Sequence, residues 1–356
     1  GQDEIFVYIS PNSSLEEIFL TYKIFSAFGL KNISYTFNQY DFEFQNKYKD
    51  CIFGSTALPC LEKYNCVFLI EADVYNEQPL ICVRLNKQKR NGGNIFSVST
   101  SKYYIPFDLD YECVTVSISK ILSDMLQIVC FEKNNDTLAK TDDIHVMFSK
   151  FLKAAEKSLL LIGSSVLLSS ECSIILDLCR QISVKTGCDI SILSKNTNAI
   201  DGNNINLDCF ESLSNLGNFA HPISLIKKKK KAFVLFNLNP EYDVNYFNAF
   251  TDSLGNAEFV ASFYSFDSPF LRNFSDVIIP IASFYELNGS FLNISGLIQS
   301  VDGVSLNSST SYYQGWSILL QLAKNFGFNN FRYDSVASVK KELLISGFLK
   351  KIEKKC

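Results

Sequence analysis

The sequence predicts an open α/β fold: mostly parallel sheets with helices on both faces, arranged as two lobes. Three observations carry this. Runs such as Cys66-Val67-Phe68-Leu69-Ile70 and Leu159-Leu160-Leu161-Ile162 are apolar without a break, the mark of a parallel strand covered on both faces. Such runs alternate with segments of helical periodicity. The chain has 356 residues, and at about 150 residues per domain that is room for two domains.

Residues 4–9 form the first apolar run, closed by Pro11-Asn12-Ser13-Ser14. Ser14 with Glu17 makes a capping box, and Ser13 with Glu16 is the alternative pair. Leu15, Ile18, Phe19, Tyr22 and Phe25 recur at helical spacing, and Gly29 stops the helix where a left-handed residue is wanted. Residues 32–37 alternate like a second strand. After the strand at 66–70, a helix is expected from Gln78 to about Arg90, a turn at Asn91-Gly92-Gly93 and a strand at 95–98. Residues 110–130 carry a helical pattern through Val114, Ile118, Ile121, Leu122 and Met125. The rhythm then repeats: strand 158–162, turn 163–165, helix 172–185, strand 189–193. Residues 195–220 are rich in Asn, Ser and Gly and read as loop. Strand 232–236, a helix near 244–254, strands 259–264 and 277–279, and an amphipathic helix from Trp316 to Phe326 complete the series. The domain division expected is 1–150 for a first lobe, 151–270 for a second, and 271–356 for a loop and helices that complete the fold.

Composition narrows the function. Lys and Arg number 33 against 37 Asp and Glu, a net charge of −4, so nothing electrostatic asks for a nucleic-acid partner. The five-lysine run Lys227 to Lys231 reads as a solvated loop flanking a strand, against an anionic docking patch as the alternative. Glycine is scarce, 16 in 356, below the usual ~7%. Eleven cysteines are present, but no C-x-x-C pair; iron–sulfur and structural zinc sites draw on short spacings, so the thiols read as reduced and buried. His145 and His221 stand outside any metal or catalytic motif, and no G-x-S-x-G, G-x-G-x-x-G or G-x-x-x-x-G-K-[ST] occurs. No apolar stretch approaches the ~20 residues a membrane span needs. The chain begins at Gly1, as either a removed presequence or a shortened chain would.

Three segments, read together, resemble the C-terminal part of the large iron–sulfur subunit of respiratory complex I (NADH:ubiquinone oxidoreductase), which is similar to the molybdopterin oxidoreductase fold. Leu61 to Arg84 resembles E-x-A-D-x-V-L-L-x-G-x-N-P-x-x-E-x-P-L-x-x-x-R, matching at Glu62, Glu77, Pro79, Leu80 and Arg84. The second segment opens with Ser275-Asp276-Val277-Ile278-Ile279-Pro280, which resembles A-D-V-I-L-P, and continues to Gln299. Phe284 to Gln299 resembles [FY]-x-E-K-x-G-T-[FY]-x-N-x-E-G-R-x-Q, matching at Glu286, Gly289, Phe291, Asn293, Gly296 and Gln299. Leu160 to Ser165 is like V-V-L-G-S-S, and Trp316 opens a helix like the family's D-W-x-I. The resemblance covers roughly residues 1–345 and implies two Rossmann-like lobes. On it, Glu62, Glu77, Pro79, Arg84, Asp276, Pro280, Glu286, Gly289, Asn293, Gly296 and Gln299 are expected to be structural.

The departures fall where a cofactor site would lie. Glu71 and Asn237 stand in place of strand-end glycines, and Leu287, Ser295 and Leu297 replace Lys, Glu and Arg of the motif. An acidic group in place of glycine, with cations removed, is the wrong electrostatics for a phosphate-bearing ligand. The site is therefore expected to be degenerate, with no catalytic residue, no metal and no cofactor held by this chain. The resemblance further implies a part of the complex I peripheral arm on the matrix side of the mitochondrial inner membrane. FMN and iron–sulfur clusters would lie elsewhere in that complex, and a separate chain would carry the N-terminal clusters; a sequence cut short would read the same. On this reading the chain is no enzyme by itself. The alternative is a molybdopterin-dependent oxidoreductase of the formate dehydrogenase type.

Overall fold

The computed structural model describes residues 2–30, 32–34, 43, 47, 56–131, 144–193, 198, 230–244, 246–293, 297–304, 313–328 and 330–347. The chain opens with β1 (Ile5–Ile9), α1 (Leu15–Ala27) and β2 (Ile33–Ser34). A 3-10 turn (Leu58–Lys63) leads to β3 (Cys66–Ile70), α2 (Val74–Glu77), α3 (Pro79–Arg90), β4 (Asn94–Ser99) and β5 (Tyr111–Val114). Next come α4 (Ile118–Phe131), α5 (Ile144–Ala154), β6 (Ser158–Ile162), α6 (Ser164–Leu167), α7 (Cys172–Thr186) and β7 (Asp189–Ile192). Then follow β8 (Ala232–Phe236), α8 (Pro240–Asp243), α9 (Phe247–Gly255), β9 (Phe259–Tyr264), α10 (Pro269–Phe274) and β10 (Val277–Pro280). The hairpin β11 (Gly289–Leu292) and β12 (Ile298–Val301), then α11 (Gly315–Asn325) and α12 (Val336–Ile345), end the series.

The strands form two five-stranded parallel sheets, in the order β10-β9-β8-β1-β2 and β5-β4-β3-β6-β7. This is the α/β architecture expected. The division of the chain differs from the cuts at 150 and 270. One compact unit takes Gly1–Gln39, Asn196–Asn293 and Leu297–Lys351; the other is built on Tyr40–Lys195, with Ile294–Gly296 and Ile352–Cys356. The reason is pairing: β1 lies residue for residue beside β8, from Ile5 with Ala232 to Ile9 with Phe236. A cut at 150 would separate them.

Local chemistry explains most boundaries. Glu17 N donates to Ser14 Oγ and Ser14 N to the Glu17 carboxylate, so α1 opens on the Ser14–Glu17 box rather than the Ser13–Glu16 pair. Gly29 takes φ 75°. In the second unit Phe68, Phe96 and Phe148 pack as mutual neighbours at ring-centroid distances of 4.9–5.4 Å, each buried. Burial of one such ring contributes about 2 kcal/mol. The other face of that sheet is covered by Ile81, Leu85 and Val74.

Two predicted elements change. The front of the 110–130 helical pattern is strand β5, registered against β4 from Phe96–Tyr111 to Ser99–Val114. The Asp110 carboxylate accepts from Ile95 N at 2.7 Å and fixes that pairing. Val114 is consequently exposed, whereas Ile118, Ile121, Leu122 and Met125 are buried on α4. The helix expected near 244–254 is α9, starting at Phe247, and a separate turn, α8, precedes it, with Glu241 N donating to Asn239 Oδ1. Of the predicted strand 32–37 residues 32–34 are described, and Ile33–Ser34 is strand; the loop at 195–220, apart from Asn198, lies outside the described residues, as do His221 and Lys227 to Lys229.

Candidate functional site

In an open parallel sheet, ligands sit at the carboxyl ends of the strands where strand order reverses. The reversal falls between β3 and β6 in one sheet and between β1 and β8 in the other.

At the first of these, Glu71 follows the last residue of β3 with φ 49°, a left-handed backbone that favours glycine. Its side chain is 6% exposed. The carboxylate accepts from Thr100 N and Thr100 Oγ1 at 2.7 Å each, and from Tyr103 Oη at 2.5 Å. Burial, and then the carboxylate it donates to, push the Tyr103 phenol well above its usual range. Across the reversal Gly163 N donates to Ile70 O. A Cβ on Gly163 would collide with the Glu71 carbonyl oxygen. The glycine that ends β6 therefore serves close contact with β3. Glu77, on the last turn of α2, accepts from Ser164 N at 3.2 Å and Ser164 Oγ at 2.9 Å. Burial raises its pKa, helped by the negative charges of Asp73 and Glu71, while the Ser164 hydrogen bonds oppose the rise.

The second reversal is built the same way. Asn237 follows β8 with φ 52° and donates its N–H to Phe263 O at 2.7 Å. Ser10 N donates to Phe236 O, tying the end of β1 to that of β8. The buried Asp243 accepts from Asn239 N at 2.9 Å and Ser10 Oγ at 3.3 Å.

The remaining motif positions are spread over both units, with Glu62 and Asp276 before the first residues of β3 and β10. Glu286 accepts from Ser283 N and Oγ, which hold its carboxyl below the usual range. Leu287 is buried with Ala282 and Phe291. Gly289 passes α1 so closely that a Cβ would meet Ser14 Cβ at 2.6 Å. Asn293 accepts from Leu297 N and donates to Gln299 Oε1; Ser295 and Gly296 lie outside the described residues. Glu62 pairs with Arg84 and, at 2.7 Å, with Lys87. These hydrogen bonds, that of Lys87 first, hold its carboxyl below the usual range. Pro79 is the first residue of α3. Asp276 accepts from Val260 N at 2.7 Å, latching β10, which ends at Pro280, onto β9. Leu287 and Leu297 belong to the other compact unit than Glu71. Among the described residues no group of three or more His, Cys, Asp or Glu side chains could hold a metal ion.

Four residues at these ends escape sequence reading: Thr100, Tyr103, Ser10 and Asp243. Thr100 follows β4 and Ser10 follows β1, so the rule that ligands favour strand ends would have found those two.

The model of the family described as molybdopterin oxidoreductase matches residues 1–325. The chain belongs to the molybdopterin oxidoreductase family. No curated protein matches the chain. Among solved structures, the formyltransferase/hydrolase complex (FhcABCD) from Methylorubrum extorquens, in complex with methylofuran, contains a similar chain. It is 11% identical at a TM-score of 0.61, over 90% of this chain and 91% of that one. Acetylene hydratase from Pelobacter acetylenicus is 10% identical at a TM-score of 0.68. That likeness takes in 94% of this chain but 57% of the hydratase. At such identities the likeness is one of fold.

Family membership overturns the expectation that the chain is no enzyme by itself: the family is one of oxidoreductases. That expectation extended the charge at single positions to the whole chain. The family name implies a pterin cofactor, and the strand ends test the fit. A phosphate-bearing group needs free donors or cations there. The donors at 100, 103 and 164 are engaged by Glu71 and Glu77, those at 239 and 10 by Asp243, and among the described residues no lysine or arginine pairs with Glu71 or Glu77. The residues at these ends do not fit such a group.

Proposed function

We propose that this chain works in an oxidoreductase of the molybdopterin family, as the two-lobed α/β part of an enzyme that moves electrons between a donor and an acceptor. The observation that carries the reading is the family match across residues 1–325, which spans the described strands of both sheets. The strand-end carboxylates support one refinement: the redox groups lie away from the carboxyl ends of these two sheets, on another part of the enzyme.

The narrower motifs support a second reading within the first. Glu62, Glu77, Pro79 and Arg84, then Leu160 to Ser165, then Asp276 to Gln299, resemble in order the complex I subunit. Here the partner would be a chain with the N-terminal iron–sulfur clusters, with FMN elsewhere in the complex, on the matrix side of the mitochondrial inner membrane. Among the described residues no helix is long and apolar enough to cross a membrane.

Purifying the native assembly through a tag on this chain and assaying its redox groups separates the readings. Molybdenum or tungsten with a pterin, and oxidation of a donor such as formate, supports a molybdopterin-dependent enzyme. NADH oxidation with FMN and clusters on companion chains supports the complex I reading. An assembly with none of these groups and no electron transfer contradicts both.

A further inference from the structure

Glu71 combines three features that rarely meet in one residue. It stands at the carboxyl end of a central strand, beside the reversal of strand order where such sheets take ligands. It holds a left-handed φ of 49° that a residue with a side chain adopts at a cost. And its buried carboxylate receives three converging donors, one backbone N–H and two hydroxyls. A buried charge is kept only where hydrogen bonds replace its water. Three donors closing on two oxygens is also the way a bound phosphate or sulfate is held.

We infer that the Glu71 carboxylate is a built-in oxyanion, seated where an external phosphate-type group would otherwise bind, so that this sheet end is closed to phosphate-bearing ligands. The seat consists of Thr100 N, Thr100 Oγ1 and Tyr103 Oη. Removing the side chain while keeping the left-handed backbone leaves the Thr100 donors unpaired, with Tyr103 Oη beside them and in contact with Ser165, and makes an oxyanion site. Asp73 and Glu77 keep the local field negative, which weakens anion binding at the vacated seat, so phosphate is offered there at high concentration. The inference holds whichever redox reaction the enzyme performs.

Thermal melting of the full chain tests it, with 10 mM inorganic phosphate against chloride of equal ionic strength. The parent and Glu71→Gln, whose side chain still fills the seat, should show no phosphate-specific rise. Glu71→Gly should melt lower than the parent and recover by about 3 °C with phosphate. The double variant Glu71→Gly with Tyr103→Phe should lose most of that recovery. Glu71→Asn is the second variant, since asparagine tolerates this backbone, as Asn237 does, and is one methylene shorter. A phosphate-specific rise in the parent overturns the inference, because the seat would then be open. A folded Glu71→Gly or Glu71→Asn without phosphate recovery overturns it, as does failure of both to fold with phosphate present.

Discussion

At the scale of single residues, two backbone positions dominate the strand ends. Gly163 has no room for a side chain, because a Cβ would run into the Glu71 carbonyl oxygen. Gly163→Ala should therefore cost about 2–3 kcal/mol, read as a lower urea midpoint at unchanged slope. Asn237 holds φ 52°. Asn237→Ala should lose about 1 kcal/mol, while Asn237→Gly should match or slightly exceed the parent in the same urea titration. Glu71 was legible in the sequence as a departure, because the apolar run ends at Ile70 and an acid follows it. Its partners were not. Thr100 lies 29 residues away and Tyr103 lies 32 away, and no periodicity links a strand-end acid to a loop after the next strand.

At the scale of elements, α1 shows what local sequence carries. Its cap, its apolar spacing and its stop at Gly29 are all contained within one stretch and all appear in the structure. Strand β5 shows the opposite. Val114 suits a helical stripe, yet register with β4 and the Asp110 carboxylate on Ile95 N decide the outcome. What α1 touches was equally invisible: Glu16 accepts from Ser290 N, 274 residues away. The same helix gives a pH prediction. Burial lifts Glu17 to about 7 from an ordinary 4.5, with the Glu16 charge adding and the Ser14 hydrogen bonds opposing. Burial raises Glu16 too, against Ser290 and the Lys340 charge. Between 4.5 and 7 the folded chain holds a proton on Glu17 that the unfolded chain has released. This contribution to stability is therefore greatest below 4.5, falls as pH rises and levels above 7. Urea midpoints from pH 5 to 8 should decline in the parent, and Glu17→Gln should remove most of that slope.

At the scale of the whole molecule, the two sheets were legible from unbroken apolar runs, but the division of the chain was not. Lobes that follow one another in sequence are the simplest reading of alternating strands and helices. The pairing of β1 with β8 makes one unit discontinuous and leaves 40–195 as the main body of the other. A fragment of residues 40–195 should melt cooperatively by circular dichroism, whereas 1–150 lacks β6, β7 and β8 and should not. Family membership likewise could be reached through motifs, while the inference from Glu71 and Leu287 to a chain without chemistry went further than those residues allowed. The central claim is that the chain works in an oxidoreductase. Its most direct test is native electrophoresis of the tagged chain from its own cells, stained with a tetrazolium dye and either NADH or a small donor such as formate. Dye reduction should coincide with the tagged band. A tagged band in an intact assembly that reduces no dye with either class of donor, beside redox bands elsewhere in the lane, would contradict it.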